Sequence, residues 1–145
     1  LGNEQNPVTH AFELYARAVA DKDVDAFMAI HAPDIQVFDA WGQWEFTGAG
    51  QWRELATGWF ASLGDESVEV LFTRVHTSIG ADVAYGFADV TFTGTSASGH
   101  RLRSMTNRIS VGMNRSPEGW VIGHQHSSLP INLETGAAMS DPPVH

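Results

Sequence analysis

The sequence predicts an α+β fold in which a strongly curved antiparallel sheet wraps around three N-terminal helices. Three observations predict it. Apolar residues recur at helical spacing over the first third of the chain, as in Val8, Phe12, Tyr15 and Val19. From Ser67 onward, four long strand-like runs follow one another, separated only by turn signals. Helices and strands are thus segregated along the chain, which is the α+β pattern rather than the alternation of a parallel α/β sheet.

Asn6-Pro7 is a helix start, with Asn as cap and Pro at the first helical position. The first helix buries Val8, Phe12, Tyr15 and Val19, with Ala11 and Ala18 beside them. Asp23 caps a short second helix with Val24, Phe27 and Met28 on its apolar face and His31 one turn further on; Pro33-Asp34 ends the pair. Ile35 to Ala40 then alternates as a strand, with Ile35, Val37 and Asp39 on one face. An aromatic, glycine-rich connection holds Trp41 and Trp44. Trp52, Leu55, Ala56, Trp59, Phe60 and Leu63 mark a third helix stopped at Gly64. The strand runs are 67–78, 82–95, 100–114 and 119–129, read as an antiparallel meander, and the tail 131–145 is expected to be irregular.

With 145 residues the chain suits one domain, its core over about residues 7–130. Seventeen carboxylates oppose eight cations, a net charge of -9, which argues against nucleic acid or anionic lipid as a partner. There is no cysteine, so thiol catalysis, disulfides and thiolate metal sites are excluded. No apolar run approaches the roughly 20 residues of a membrane span, and the first residues lack targeting character. A cytoplasmic location is the default expectation, with room for a missing N-terminal segment because the chain opens on Leu1.

The last strand run, Trp120 to Pro130, carries His124 and His126 two residues apart. Strict alternation puts both on one face with Trp120, Ile122 and Ser128, so an apolar wall would end in ionisable groups, as a ligand pocket requires. Such a pair could ligate a metal only with a third ligand from Asp39 or His76, and no metal is expected. The spacing Asp21, Asp23, Asp25 is not a calcium loop, because Ala26 and Ala32 stand where glycine and a bidentate acid are needed. Asp39, ending an apolar strand face, would have a raised pKa in a cavity and so be able to take a proton beside a carbonyl. Donors to the resulting enolate could come from His124 or His126.

The helical front, the first-strand acid Asp39, the Trp-bearing third helix, the long hairpins and the ending Gly119-Trp-Val-Ile-Gly-His-Gln-His-Ser-Ser-Leu-Pro130 resemble the SnoaL-like and ketosteroid isomerase-like families of the nuclear transport factor 2-like superfamily. The resemblance covers nearly the whole chain and implies a cone-shaped sheet with an interior pocket. Asp39 resembles the family's proton-shuttling aspartate, and Tyr15 the tyrosine that donates to the enolate oxygen. The third member of ketosteroid isomerases is a protonated aspartate on the penultimate long strand. That strand here has no carboxylate, and Asn107 is the nearest donor. The resemblance implies a cofactor-independent isomerase or cyclase acting on a small hydrophobic carbonyl compound. Its pocket would be lined by Phe12, Phe27, Val37, Trp41, Trp59, Met105 and Ile122. The alternative is a non-catalytic ligand-binding or oligomerisation domain. A homodimer would form through the outer sheet face, for which Ser104, Thr106, Ser110, Val90 and Phe92 are the expected residues.

Overall fold

The computed structural model describes residues 6–142. Three helices, α1 (Pro7–Asp21), α2 (Val24–Met28) and α3 (Gly48–Ser62), accompany six strands: β1 (His31–Phe38), β2 (Phe46–Thr47), β3 (Ser67–Ile79), β4 (Val83–Thr95), β5 (Arg101–Ser116) and β6 (Gly119–Ser128). The strands form one curved sheet in the order β2-β1-β6-β5-β4-β3. The three long hairpins are antiparallel as expected, but β1 lies parallel to β6, so the sheet is mixed. The reason is topological. The chain leaves β1 through α3 and the whole β3–β6 meander before it returns to pair with it, and that long excursion brings β6 back in the direction of β1.

The caps behave as their chemistry dictates. Asn6 Oδ1 accepts from Thr9 N at 3.0 Å and Asp23 Oδ1 from Ala26 N at 3.0 Å, each satisfying an orphan amide of a first turn. Lys22 ends α1 in the left-handed region, at φ 52°, and its Nζ donates to Gly64 O at 2.7 Å, tying the end of α1 to the end of α3. The apolar stripe of α1 packs on the sheet: Phe12 stacks on Phe72 of β3 at 4.1 Å. The helix comes so close to β4 that a Cβ on Gly86 would collide with the Val8 side chain.

Two expectations change at the strands. β1 begins at His31, before Pro33-Asp34, because the residues taken as the end of the second helix are already extended; a register shift between His31 and Gln36 absorbs the proline. Val90 and Phe92 face inward, Val90 being fully buried, so they do not belong to the outer face. What β3 and β4 turn outward instead is Leu71, Tyr85 and Phe87, with His76 stacked on Phe87. The tail folds back on itself rather than trailing: Ile131 bridges Ala138, and Thr106 N–H donates to Ser140 O at 3.0 Å. Residues of the tail thereby take the place beside β5 that β6, ending at Ser128, leaves open. The opening residues 1–5 and the end of the expected irregular tail, residues 143–145, lie outside the described residues. No described helix is long and apolar enough to cross a membrane.

Candidate functional site

Alternation along β1 brings Ile35 and Val37 into the core and points the next inward residue, Asp39, into a cavity of about 540 Å³ between the helices and the concave face of the sheet. Tyr15 reaches the same cavity from α1, its ring edge-on to Phe27 at 5.0 Å and to Phe72 at 5.7 Å. Asn107 reaches it from β5, between Met105 and Ile109, and Ser127 from β6. The remaining wall is largely apolar: Trp52, Leu55, Trp59 and Leu63 of the α3 segment and Val68, Val90 and Phe92 of the sheet, with Trp41 beside Asp39.

This setting shifts the ionisable groups. Burial pushes the Asp39 carboxyl up to about 6, against the opposing effect of the Ala40 amide that donates to it. Burial, and then the Asp39 charge, raise the Tyr15 phenol well above its ordinary value, so it stays protonated and able to donate. Asn107 is 4% exposed, and its Oδ1 has no hydrogen-bond partner among the described residues. An unpaired buried amide oxygen costs about 1–3 kcal/mol. Being an acceptor, this oxygen is satisfied only by a ligand that carries an N–H or O–H donor.

Behind the wall lies a polar support. His31 Nδ1 contacts Phe27 O at 2.8 Å, and Trp52 Nε1 donates to His31 Nε2 at 3.3 Å. Since an indole can only donate, Nε2 must carry the lone pair and Nδ1 the proton. Burial lowers the His31 pKa to about 4, against the opposing effect of the Phe27 carbonyl, so the ring is neutral at ordinary pH. His31 thereby fixes the orientation of Trp52, one wall of the cavity. It stood in the sequence as an apolar-face histidine of the second helix, without a role at the site.

The expected site residues divide in two. Asp39, Tyr15, Asn107, Trp41, Trp59 and Met105 surround the one cavity. His124 and His126 do not. Gly123 forms a bulge: Ile122 pairs with Met113 and His124 with Gly112, so one residue of β6 has no counterpart and the alternation slips by one. Ile122, Gln125 and Ser127 therefore point inward and are buried, while His124 and His126 lie on the outer face. There both rings meet the edge or face of Phe38, at 4.9 and 5.4 Å, and His124 Nδ1 lies 2.8 Å from Gln36 O. The Asn114 amide packs over the bulge where a Cβ on Gly123 would stand, so a larger residue there would displace that side chain. Phe12, Phe27, Val37 and Ile122 are core residues rather than cavity wall: Phe27 is enclosed by Tyr15, His31, Trp52 and Phe60, and Ile122 sits opposite Met113, further along the sheet from Asp39. Ser127 was missed for the reason that misplaced the histidines, and a glycine inside a strand was the available signal.

A second cavity, of about 590 Å³, lies between the start of α1 and the β5–β6 turn, with His10, Arg115, Glu118 and Trp120 among its lining residues and none of the residues expected at the site. No group of three or more potential metal ligands occurs among the described residues.

No curated protein matches the chain. Solved structures do. An NTF2-like protein of unknown function from Pseudomonas putida KT2440 superposes with a TM-score of 0.81 at 21% identity, covering 94% of each chain. An NTF2-like protein with a cystatin-like fold from Novosphingobium aromaticivorans gives 0.73 at 14% identity, over 92% of this chain and 84% of that one. Aln2 from a Streptomyces species gives 0.73 at 15% identity, over 84% and 87%. At such identities the likeness shows the fold alone. The sequence model of the SnoaL-like domain matches residues 8–132, which takes in every strand and all but the first residue of the helices described above, and the chain belongs to that SnoaL-like family.

Proposed function

We propose that the cavity binds a small hydrophobic, carbonyl-bearing molecule and moves a proton on it, as an isomerase or cyclase that uses no cofactor. The observation that carries this reading is the convergence of Asp39, Tyr15 and Asn107 on one largely apolar cavity. Asp39, with its pKa near 6, is largely ionised at neutral pH and still basic enough to abstract a proton from the carbon beside the carbonyl. Charge then develops on the carbonyl oxygen, where the Tyr15 hydroxyl and the Asn107 amide N–H can donate to it. The acid formed on Asp39 returns the proton at a second carbon, and the apolar wall keeps bulk water from intercepting the enolate. His124 and His126 have no part in this chemistry, because they face away from the cavity.

The test is turnover of model enones and polyketide-like carbonyl compounds by the protein and by its Asp39→Asn variant. Loss of turnover in the variant supports the reading; equal rates, or none from either, sink it. A second reading, non-catalytic association through the outer sheet face, draws on the exposed Leu71, Tyr85 and Phe87. It proposes a homodimer, which sedimentation of the protein and a Phe87→Asp variant would test. A monomer at all concentrations would refute it.

A further inference from the structure

The polar head of the cavity and its one cation lie at different levels of the same strand. Arg103 faces Gly94 across the β4–β5 ladder, and Asn107 faces Val90. Four residues of extended chain separate Arg103 from Asn107, about 13 Å at the rise of a β-strand. Of the residues that line the cavity, Asp39, Tyr15 and Arg103 are the ionisable ones, and only Arg103 carries positive charge.

That charge is already engaged. Both terminal nitrogens of Arg103 meet the two carboxylate oxygens of Glu66, the residue just before β3, in a forked ion pair. The Glu66 side chain is 18% exposed, against 61% for Arg103. The pair rests on bare backbone: a Cβ on Gly94 would come within 3.1 Å of Glu66 Oε2 and 3.3 Å of Arg103 Cζ. Since Gly94 itself lines the cavity, the Glu66–Arg103 pair covers the wall at this end.

We infer that Glu66 sets the charge of the ligand: by occupying the Arg103 guanidinium it makes the cavity a site for uncharged molecules and turns carboxylates away. A ligand carboxylate has two alternatives. It can displace Glu66 from Arg103, leaving that carboxylate without its partner, or it can enter an apolar space with no cation to meet it. At the other end Asp39 adds like-charge repulsion. An uncharged molecule meets neither cost.

The inference rests on the reading of this cavity as a ligand site, and the experiment separates the two. 2-Acetylnaphthalene and 6-acetyl-2-naphthoate share a ketone and an apolar body and differ in a carboxylate at the far end. Their affinities for the full chain are measured by isothermal titration at neutral pH. The expected result is that the ketone binds at least about tenfold tighter than the keto acid, the size of one charged contact partly open to solvent. Glu66→Gln, which frees Arg103, should bring the ratio to about one or reverse it, and Glu66→Gln with Arg103→Gln should restore the preference. Arg103→Gln alone leaves Glu66 unpartnered and should raise the preference for the ketone, a test that stands if Glu66→Gln fails to fold. Equal or tighter binding of the keto acid by the unaltered protein, or a ratio unmoved by Glu66→Gln, overturns the role of Glu66. Binding of neither compound overturns the ligand-site reading and this inference with it.

Discussion

Asp39 should make the protein less stable at neutral pH than a neutral isostere would. Its pKa is raised from 3.8 to about 6 in the folded chain. A group whose folded pKa is raised holds its proton more tightly in the native state, so the stability it contributes is present below the unfolded value and lost as pH rises through the folded one. Between pH 4 and pH 6 the native state must give up a proton that the unfolded state has already released. The shift corresponds to about 3 kcal/mol at pH 7.5 and about 0.5 kcal/mol at pH 4, at 1.36 kcal/mol per unit. Asp39→Asn keeps the shape of the protonated acid and removes the titration. Urea unfolding of both proteins across this range should show the variant more stable by up to about 3 kcal/mol at pH 7.5, with the difference closing toward pH 4. Taking the difference cancels the other titrating groups, which the two proteins share. A difference that does not depend on pH, or a variant less stable at pH 7.5, would refute the claim that burial strains this carboxylate.

His31 gives the opposite kind of pH dependence. With its pKa lowered from 6.5 to about 4, it contributes stability that is present above 6.5 and lost as pH falls toward 4, up to about 3 kcal/mol; His31→Gln should abolish that acid slope in urea titrations. Gly86→Ala should destabilise by about 1–3 kcal/mol, read as a lower denaturant midpoint, because the new methyl must push α1 off the sheet at Val8. Asn107→Leu should raise stability by about 1 kcal/mol by removing an unpaired buried amide, and should weaken binding of 2-acetylnaphthalene in the same titration that reads the wild type.

Much of the fold was legible because its signals are local. Asn6 and Asp23 cap the helices predicted from them, and Gly64, at φ 59°, stops the third where the apolar spacing ends. The long strands fall within a residue or two of their turn signals. The parallel pairing of β1 with β6 was not legible, since nothing local to either strand records which neighbour a distant segment will choose. Asp39 reaches the cavity as alternation along β1 places it, and Tyr15, singled out by the family resemblance, reaches it from the helical stripe of Phe12 and Val19. His124 and His126 were misplaced because a single bulge residue reverses the facing of everything beyond it. The close approach of Asn114 to Gly123 is a contact across two strands, which no window of sequence displays. The tie from His31 to Trp52 joins residues 21 apart and was equally hidden.

The central claim is that Asp39 moves a proton on a bound carbonyl compound. It is tested most directly by following, by proton NMR in deuterium oxide, the exchange of the acetyl hydrogens of 2-acetylnaphthalene. The account predicts exchange faster than in buffer alone, rising with pH through an apparent pKa near 6, and falling to the buffer rate in Asp39→Asn. Exchange at the buffer rate with the unaltered protein, or equal acceleration by both proteins, would contradict it.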